Sequence, residues 1–396
     1  MSAIRHKQIY MDNAAITPVD KEVAKEVRKY EGAEYGNPSS IHSYGVRAKK
    51  VLFESRRTAA DFFHARASDI FFTSGGTESN NLAIIGHFNH LLEKGISPKR
   101  LRMITSKIEH ASVLECAKYL EKKGVAVDHI GVNEEGIVNL DELESKLNEG
   151  PEERIVFLIS IMYVNNELGT IQPIREIGSA IRRYNKRLAG DFHAVFHIDA
   201  SQAPLFIDVD VRSLGADIVT VDGQKIYGPR GAGLLWKRNG INLLPILYGG
   251  GQEMGLRSGT ENLGSVAGMA KALEIAGRRR ERDTARLRNI RDNFIGGLKR
   301  ILPRAELNGS QEKGVPYIVN VSIPGADNEY FVLRLDAKGI ACSTKSSCMQ
   351  GEEESYVVKA LGKGGDAAKS SVRFSFGRDI TTRQVEYVLK VIKTVI

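Results

Sequence analysis

IVFLISIM, residues 155–162, is apolar at nearly every position. A strand with one wet face alternates polar and apolar residues, so a run of this kind belongs to a strand covered by helices on both faces. Working outward, similar short runs recur on either side. IFFT (70–73), RMIT (102–105) and VAVDHI (125–130) precede it, and AVFHID (194–199), DIVTVD (217–222) and GAGLLW (231–236) follow. Longer helical patterns separate them, and that alternation from about residue 68 to 236 predicts an α/β fold around a mostly parallel, buried sheet.

Past GGGQEMGLRSGTEN (249–262) the pattern changes to a long charged helix over about 264–300, then YIVNVSI (317–323), SVRFSF (371–376) and a terminal helix. A chain of 396 residues exceeds the usual size of one domain. The expectation is a large domain over 16–262, with 1–15 and 263–396 forming a smaller α+β domain.

Hydrophobic residues make up 42% and charged residues 26%, the composition of a chain folded throughout. No apolar stretch approaches the roughly 18 residues a membrane helix needs, and MSAIRHKQIY lacks the apolar region of a signal peptide. A cytoplasmic protein is expected. The three cysteines, Cys116, Cys342 and Cys348, cannot make a disulfide framework and lack metal-ligand spacing. The densest basic run, 278–292, is interrupted by acids and reads as a solvated helix face, so the net charge of +8 does not call for nucleic acid.

Four segments carry candidate chemistry. FTSGGTESNNLAIIG (72–86) runs from a strand through a glycine turn into a helix, and Gly76 and Thr77 stand where a helix start favours an anion. It lacks the P-loop and dinucleotide spacings, which leaves phosphate but not a nucleoside triphosphate. Asp199 in VFHIDASQAP ends a buried strand, where open α/β sheets place ligands. Its carboxylate could cap the next turn or pair with a cationic ring nitrogen. Lys225 follows Gly223 and Gln224 in a loop closed by Gly-Pro-Arg-Gly, and an amine taken partly out of water suits imine formation with a carbonyl cofactor. Phosphate turn, strand-end aspartate and loop lysine are the three parts of a pyridoxal-phosphate site.

In GIACSTKSSCMQGEEESY (339–356) the Ser, Gly and Glu content reads as an exposed loop, which makes Cys348 an accessible nucleophile. Cys116 shares a helix face with Val113 and Leu120 and reads as core, and Cys342 also reads as structural.

These residues, with YMDNAAITPVD (10–20), YGNPSSIHSYG (35–45), IEHASVLE (108–115), VNNELGTIQPI (164–174), KIYGPRGAG (225–233) and SVRFSFGR (371–378), resemble the cysteine desulfurase family within the class V aminotransferases. The likeness runs nearly end to end. It implies a PLP-dependent transferase-like fold in which Lys225 is the Schiff-base lysine, Asp199 meets the pyridine nitrogen and His110 stacks on the ring. Asn166 and Gln202 would touch the phenolate oxygen, and Thr77, Gly76 and Gln224 would serve the phosphate with Thr260 of a second subunit. Arg373 and Asn13 would lie near the substrate carboxylate.

Lys225 and His110 would move protons and the Cys348 thiolate would take sulfur from L-cysteine, leaving L-alanine. The implied partners are a second copy of the chain and a sulfur-acceptor protein. Read from the residues alone, His110 could instead cap a helix and Arg373 could be a strand-end ion pair. This sequence departs from the family where Asp222 and Gln224 replace Ser or Thr and His before the lysine, and also at Met254, Ile16 and Lys345. Competing readings are a selenocysteine lyase or another class V transferase, in which Cys348 is dispensable, and a non-catalytic binding protein of the same fold.

Overall fold

The computed structural model describes residues 8–149, 154–188, 192–345 and 354–395. Cys348 lies outside them. Seven strands form the central sheet: β2 (Ile70–Thr73), β3 (Leu101–Ser106), β4 (Ala126–Ile130), β5 (Ile155–Met162), β6 (Val195–Asp199), β7 (Ile218–Asp222) and β8 (Gly233–Lys237). Their order is β2-β8-β7-β6-β5-β3-β4. β4, β3, β5, β6 and β7 pair in parallel, whereas β8 runs antiparallel to both β7 and β2.

The sheet is mostly parallel as expected, with β8 its one reversed strand among the described residues. Only residues 223–232 join β7 to β8, too few for the crossover that a parallel neighbour demands, so the chain turns straight back.

β5 shows why its sequence decided the fold. Leu158 belongs to the same buried cluster as Leu82, Phe88 and Ala117, on one side of the sheet. Ile159 and Ile161 belong to the cluster that holds Ile177 and Ile181 of the helix Ile174–Asn185, on the other. A register shift against β3 falls where Arg102 pairs Val156 and Met103 pairs Leu158, which marks a bulge at Phe157.

Helices α1 (Lys21–Glu31), α2 (Ser43–Phe62), α3 (Gly76–Glu93) and α4 (Ala111–Lys122) precede the long helix Leu263–Ile301. That helix packs on α1 and α2 and reaches the second sheet, where Phe294 meets Phe374 edge-on at 5.0 Å and Phe376 at 5.4 Å. The second sheet has the order β12-β10-β9, all antiparallel, from β9 (Glu306–Asn308), β10 (Ile318–Ser322) and β12 (Ser371–Ser375). A parallel pair, β1 (Ile9–Tyr10) with β11 (Ile340–Ala341), ties the start of the chain to this late region. Among the described residues no helix is long and apolar enough to cross a membrane.

Candidate active site

The carboxyl ends of β5, β6 and β7 and the N-termini of α3 and α4 converge on a cavity of about 250 Å³. Gly76, Thr77, His110, Asn166, Asp199, Gln202, Gln224, Lys225 and Arg373 all line it. Ligands collect at this end of an open α/β sheet because the strands stop there and the connecting loops diverge.

Gly75 starts α3 at φ 155° and ψ 179°, a backbone region essentially closed to residues with a side chain. This turn leaves the first helical N–H groups without a side-chain cap. Glu78 closes the turn from inside the helix: its Oε2 accepts from the Ser74 N–H at 2.8 Å and its Oε1 from Arg257 Nε at 3.0 Å. Burial would raise the Glu78 carboxyl, but those hydrogen bonds outweigh it and hold the group below the usual range.

Asp199 is buried, and both of its oxygens are engaged. Oδ1 accepts from the Ser201 N–H at 3.0 Å and Oδ2 from Asn80 Nδ2 at 2.8 Å. It therefore does cap the following turn, and it faces the cavity as well. Two residues back along the same strand, His197 bridges Ser160 Oγ at 2.8 Å and Thr220 Oγ1 at 3.1 Å, and burial holds its imidazole neutral. Asn80 stands one helical turn after Gly76 on the face of α3 that meets the sheet, a spacing from which its place could have been read.

His110 is the N-cap residue of α4, as its alternative reading held. Its Nδ1 accepts from the Ser112 N–H at 3.2 Å and lies 2.8 Å from Ser112 Oγ, which makes Nδ1 the acceptor of the cap. The imidazole lines the cavity in the same pose. Capping and a place at the site coexist in one side chain.

Lys225 ends the short 3₁₀ turn Gly223–Lys225. Its Nζ donates to the carbonyls of Ala14 at 3.1 Å and Ala15 at 2.5 Å. The same N-terminal segment clamps the loop elsewhere: Thr17 Oγ1 donates to the Gln224 carbonyl at 2.8 Å and accepts from the Tyr227 N–H at 2.8 Å. Gln202 donates to the Ala14 carbonyl at 3.0 Å and accepts from the buried Tyr317 hydroxyl.

Arg373 is almost wholly buried. Its Nη1 donates to the Asn166 carbonyl at 2.8 Å and its Nη2 to Asp12 Oδ1 at 2.8 Å, while Nε meets no partner among the described residues. The strand-end ion pair is thus present, on a side chain that also faces the cavity.

One expected residue is not brought to the cavity wall: Asn13 is buried and donates to the Ser375 carbonyl at 3.0 Å. Thr260, expected to serve a second subunit, is exposed on the loop after Arg257. Cys116 is buried on α4 with Val113 and Leu120, and burial pushes its thiol up to about 12. Burial likewise raises the Cys342 thiol.

The sequence pattern of the family Aminotransferase class-V matches residues 9–388. Cysteine desulfurase IscS 1 of Archaeoglobus fulgidus is 40% identical over 388 residues, covering 98% of this chain and 96% of its own. This chain belongs to the cysteine desulfurase family of class-V aminotransferases. The family likeness extends to solved structures. A "NifS-like protein" superposes with a TM-score of 0.89 at 32% identity, covering 98% of this chain and 99% of that one. "SspA in complex with cysteine" matches with a TM-score of 0.76 at 30% identity, covering 93% and 98%.

Proposed function

We propose that this desulfurase-family chain holds pyridoxal phosphate through Lys225, removes sulfur from L-cysteine to leave L-alanine, and carries the sulfur as a persulfide on Cys348. One observation carries the reading: a lysine amine, a strand-end carboxylate and an uncapped helix start line a single cavity with a buried arginine. The lining also fits this reading in detail. Asn80 Oδ1 and Asn166 Oδ1 are buried acceptors with no partner among the described residues, so this wall calls for an occupant that brings donors, as the ammonium group of an amino-acid substrate does.

Gly76 and Thr77 would receive the phosphate, Asp199 the ring nitrogen, and Asn166 and Gln202 the phenolate oxygen. When bound, the cofactor supplies an electron sink for charge developing at the amino acid's α-carbon. Lys225, once displaced, moves protons at that carbon with His110, whose ring is held by Ser112. Arg373 orients the substrate carboxylate. The Cys348 thiolate attacks the substrate sulfur, the carbon–sulfur bond breaks, and a proton completes the methyl group of alanine.

The described flanks of the Cys348 segment support this placement. Ser343 pairs with Arg373 through both backbone groups, at 3.1 and 2.6 Å. On the other flank, the Tyr356 hydroxyl donates to the Glu109 carbonyl at 2.5 Å and Ser355 Oγ to Glu167 Oε2 at 2.6 Å. Residues 16–262 then act as the cofactor-binding domain, and 1–15 with 263–396 bring the arginine and the cysteine segment.

A second copy of the chain is the partner we assign to the surface of α2 and the loop after β8. Tyr44, Val46 and Phe53 are exposed on α2, and Leu247, Tyr248 and Met254 on the loop. The Arg56–Glu253 ion pair at 2.6 Å joins the two. An exposed apolar surface of this kind favours association, and it would carry Thr260 toward the phosphate of the neighbouring subunit. A sulfur-acceptor protein is the further partner we assign, since a persulfide on Cys348 must hand its outer sulfur to a second thiol or nucleophile to complete turnover.

The test is the visible spectrum of the purified protein, with alanine and sulfide assayed after cysteine is added. A bound-cofactor band absent from Lys225→Ala, and alanine formation lost in Cys348→Ala, are expected. Alanine formed without Cys348 would replace the proposal with the lyase reading, and a protein that never binds the cofactor would end it.

A further inference from the structure

The turn that starts α3 faces an acid. A methyl group added at Gly76 would lie 3.3 Å from Asp222 Cβ, 3.4 Å from Asp222 Oδ2 and 3.2 Å from Ser201 Oγ. Asp222 is buried and lines the same cavity as Gly76 and Thr77. Its Oδ1 accepts from the Gln224 backbone N–H at 3.2 Å and its Oδ2 from Gln224 Nε2 at 3.0 Å. The side-chain amide of the lysine loop is thus turned toward the carboxylate.

The other charged groups around this corner have partners of their own. On α3, Glu78 is bonded to Arg257 and Ser74. On β6, Asp199 is held by Asn80 and Ser201. In the lysine loop, Lys225 donates to Ala14 and Ala15, and on α4 His110 is bonded to Ser112. Thr77 and Ser201 contribute only neutral hydroxyls. A second full negative charge against Asp222 would meet repulsion in a site shielded from water.

We propose that this corner takes the cofactor's phosphate as a monoanion, retaining one proton that the phosphate donates to Asp222. The inference rests on the pyridoxal-phosphate reading above and deepens it. An O–H···O⁻ bond turns the like-charge contact into a strong, charge-assisted one. A free phosphate monoester loses its second proton near pH ~6, so above that pH binding must take a proton from solution. Cofactor affinity then falls by up to about tenfold per pH unit. Protons released by Lys225 act on affinity in the opposite sense, and they cancel when the wild type is compared with an Asp222 variant.

The experiment titrates cofactor-free protein with pyridoxal phosphate from pH 6.5 to 8.5, following visible absorbance, for wild type, Asp222→Asn and Asp222→Ser. Phosphorus NMR of the loaded proteins at pH 8 accompanies it. The ratio of wild-type to variant dissociation constants should rise about tenfold per pH unit, and roughly alike for both variants. The bound phosphorus should resonate at the monoanion position in wild type and at the dianion position in Asp222→Asn. A dianion resonance in wild type, or a ratio that does not change with pH, overturns the inference. A dianion whose binding recovers on adding magnesium or potassium ions would assign Asp222 to a bridging cation and also overturn it. Protein that binds no cofactor at any pH removes the underlying reading, an outcome recognisable because no band forms in any variant.

Discussion

Replacing Glu109 by glutamine should flatten the pH dependence of this protein's stability. Glu109 is fully buried; its Oε1 accepts from Ser106 Oγ at 2.6 Å and from the Met162 N–H at 3.1 Å. Its Oε2 has no partner among the described residues. Burial pushes the carboxyl from 4.5 up to about 8, the nearby charge of Asp199 adds to the rise, and the two hydrogen bonds oppose it only in part. Between those values the folded protein keeps a proton that the unfolded chain has released, so this group makes stability fall as pH rises through that window. At ~1.4 kcal/mol per pH unit, the loss between pH 5 and 8 comes to about 3–4 kcal/mol. Glutamine has the same shape, keeps an oxygen for Ser106 and Met162, and never ionises. Glu109→Gln should therefore match wild type within about 1 kcal/mol at pH 5 and exceed it by about 3–4 kcal/mol at pH 8. Urea denaturation of the two cofactor-free proteins at unit pH steps measures the difference, and parallel stability curves would refute the reasoning.

Arg373→Lys replaces a planar fork by a point charge, and losing one charge-assisted hydrogen bond of ~1.5–3 kcal/mol should raise the KM for cysteine by about 10–100-fold. Steady-state kinetics should show a smaller change in kcat. Gly233→Ala places a Cβ 2.5 Å from the Gly75 Cα, a backbone atom that cannot swing aside. Thermal melts should show a loss of ~1–3 kcal/mol, and dialysis should strip the cofactor from the variant faster than from wild type. With its thiol pushed up to about 12 by burial, Cys116 should resist iodoacetamide at pH 8 under conditions that label Cys348, as peptide mass mapping would show.

The order of strands and helices was legible because burial leaves its pattern in the chain: a two-faced apolar run such as 155–162 has few other uses. Which strand of the mostly parallel sheet runs backwards is not written in composition, since GAGLLW resembles its parallel neighbours, and only the short link 223–232 betrays the reversal. Most of the cavity was foreseen where a side chain sits at a strand end or helix start, as with Asp199, Thr77 and His110. Asn80 and Glu109 were missed because their roles depend on what lies opposite them: Asn80 matters through Asp199, and Glu109 through the absence of water. Asn13 was expected near the substrate, but the amide is drawn into the backbone of β12 instead.

The seat of Lys225 is assembled from segments far apart along the chain. Ala14 and Ala15, which receive its amine, are held by β1 against β11 and by Ser375, whose N–H donates to the Met11 carbonyl at 2.7 Å. A ribosome that has just added residue 225 must add 150 more before residue 375 exists, roughly 8–30 s at ~5–20 residues per second. During that interval the nascent chain can complete its central sheet but not its lysine pocket. A cofactor held by Lys225, as proposed, is therefore seated only after synthesis has passed residue 375, and a polypeptide released before that point lacks the Ser375 that holds Met11.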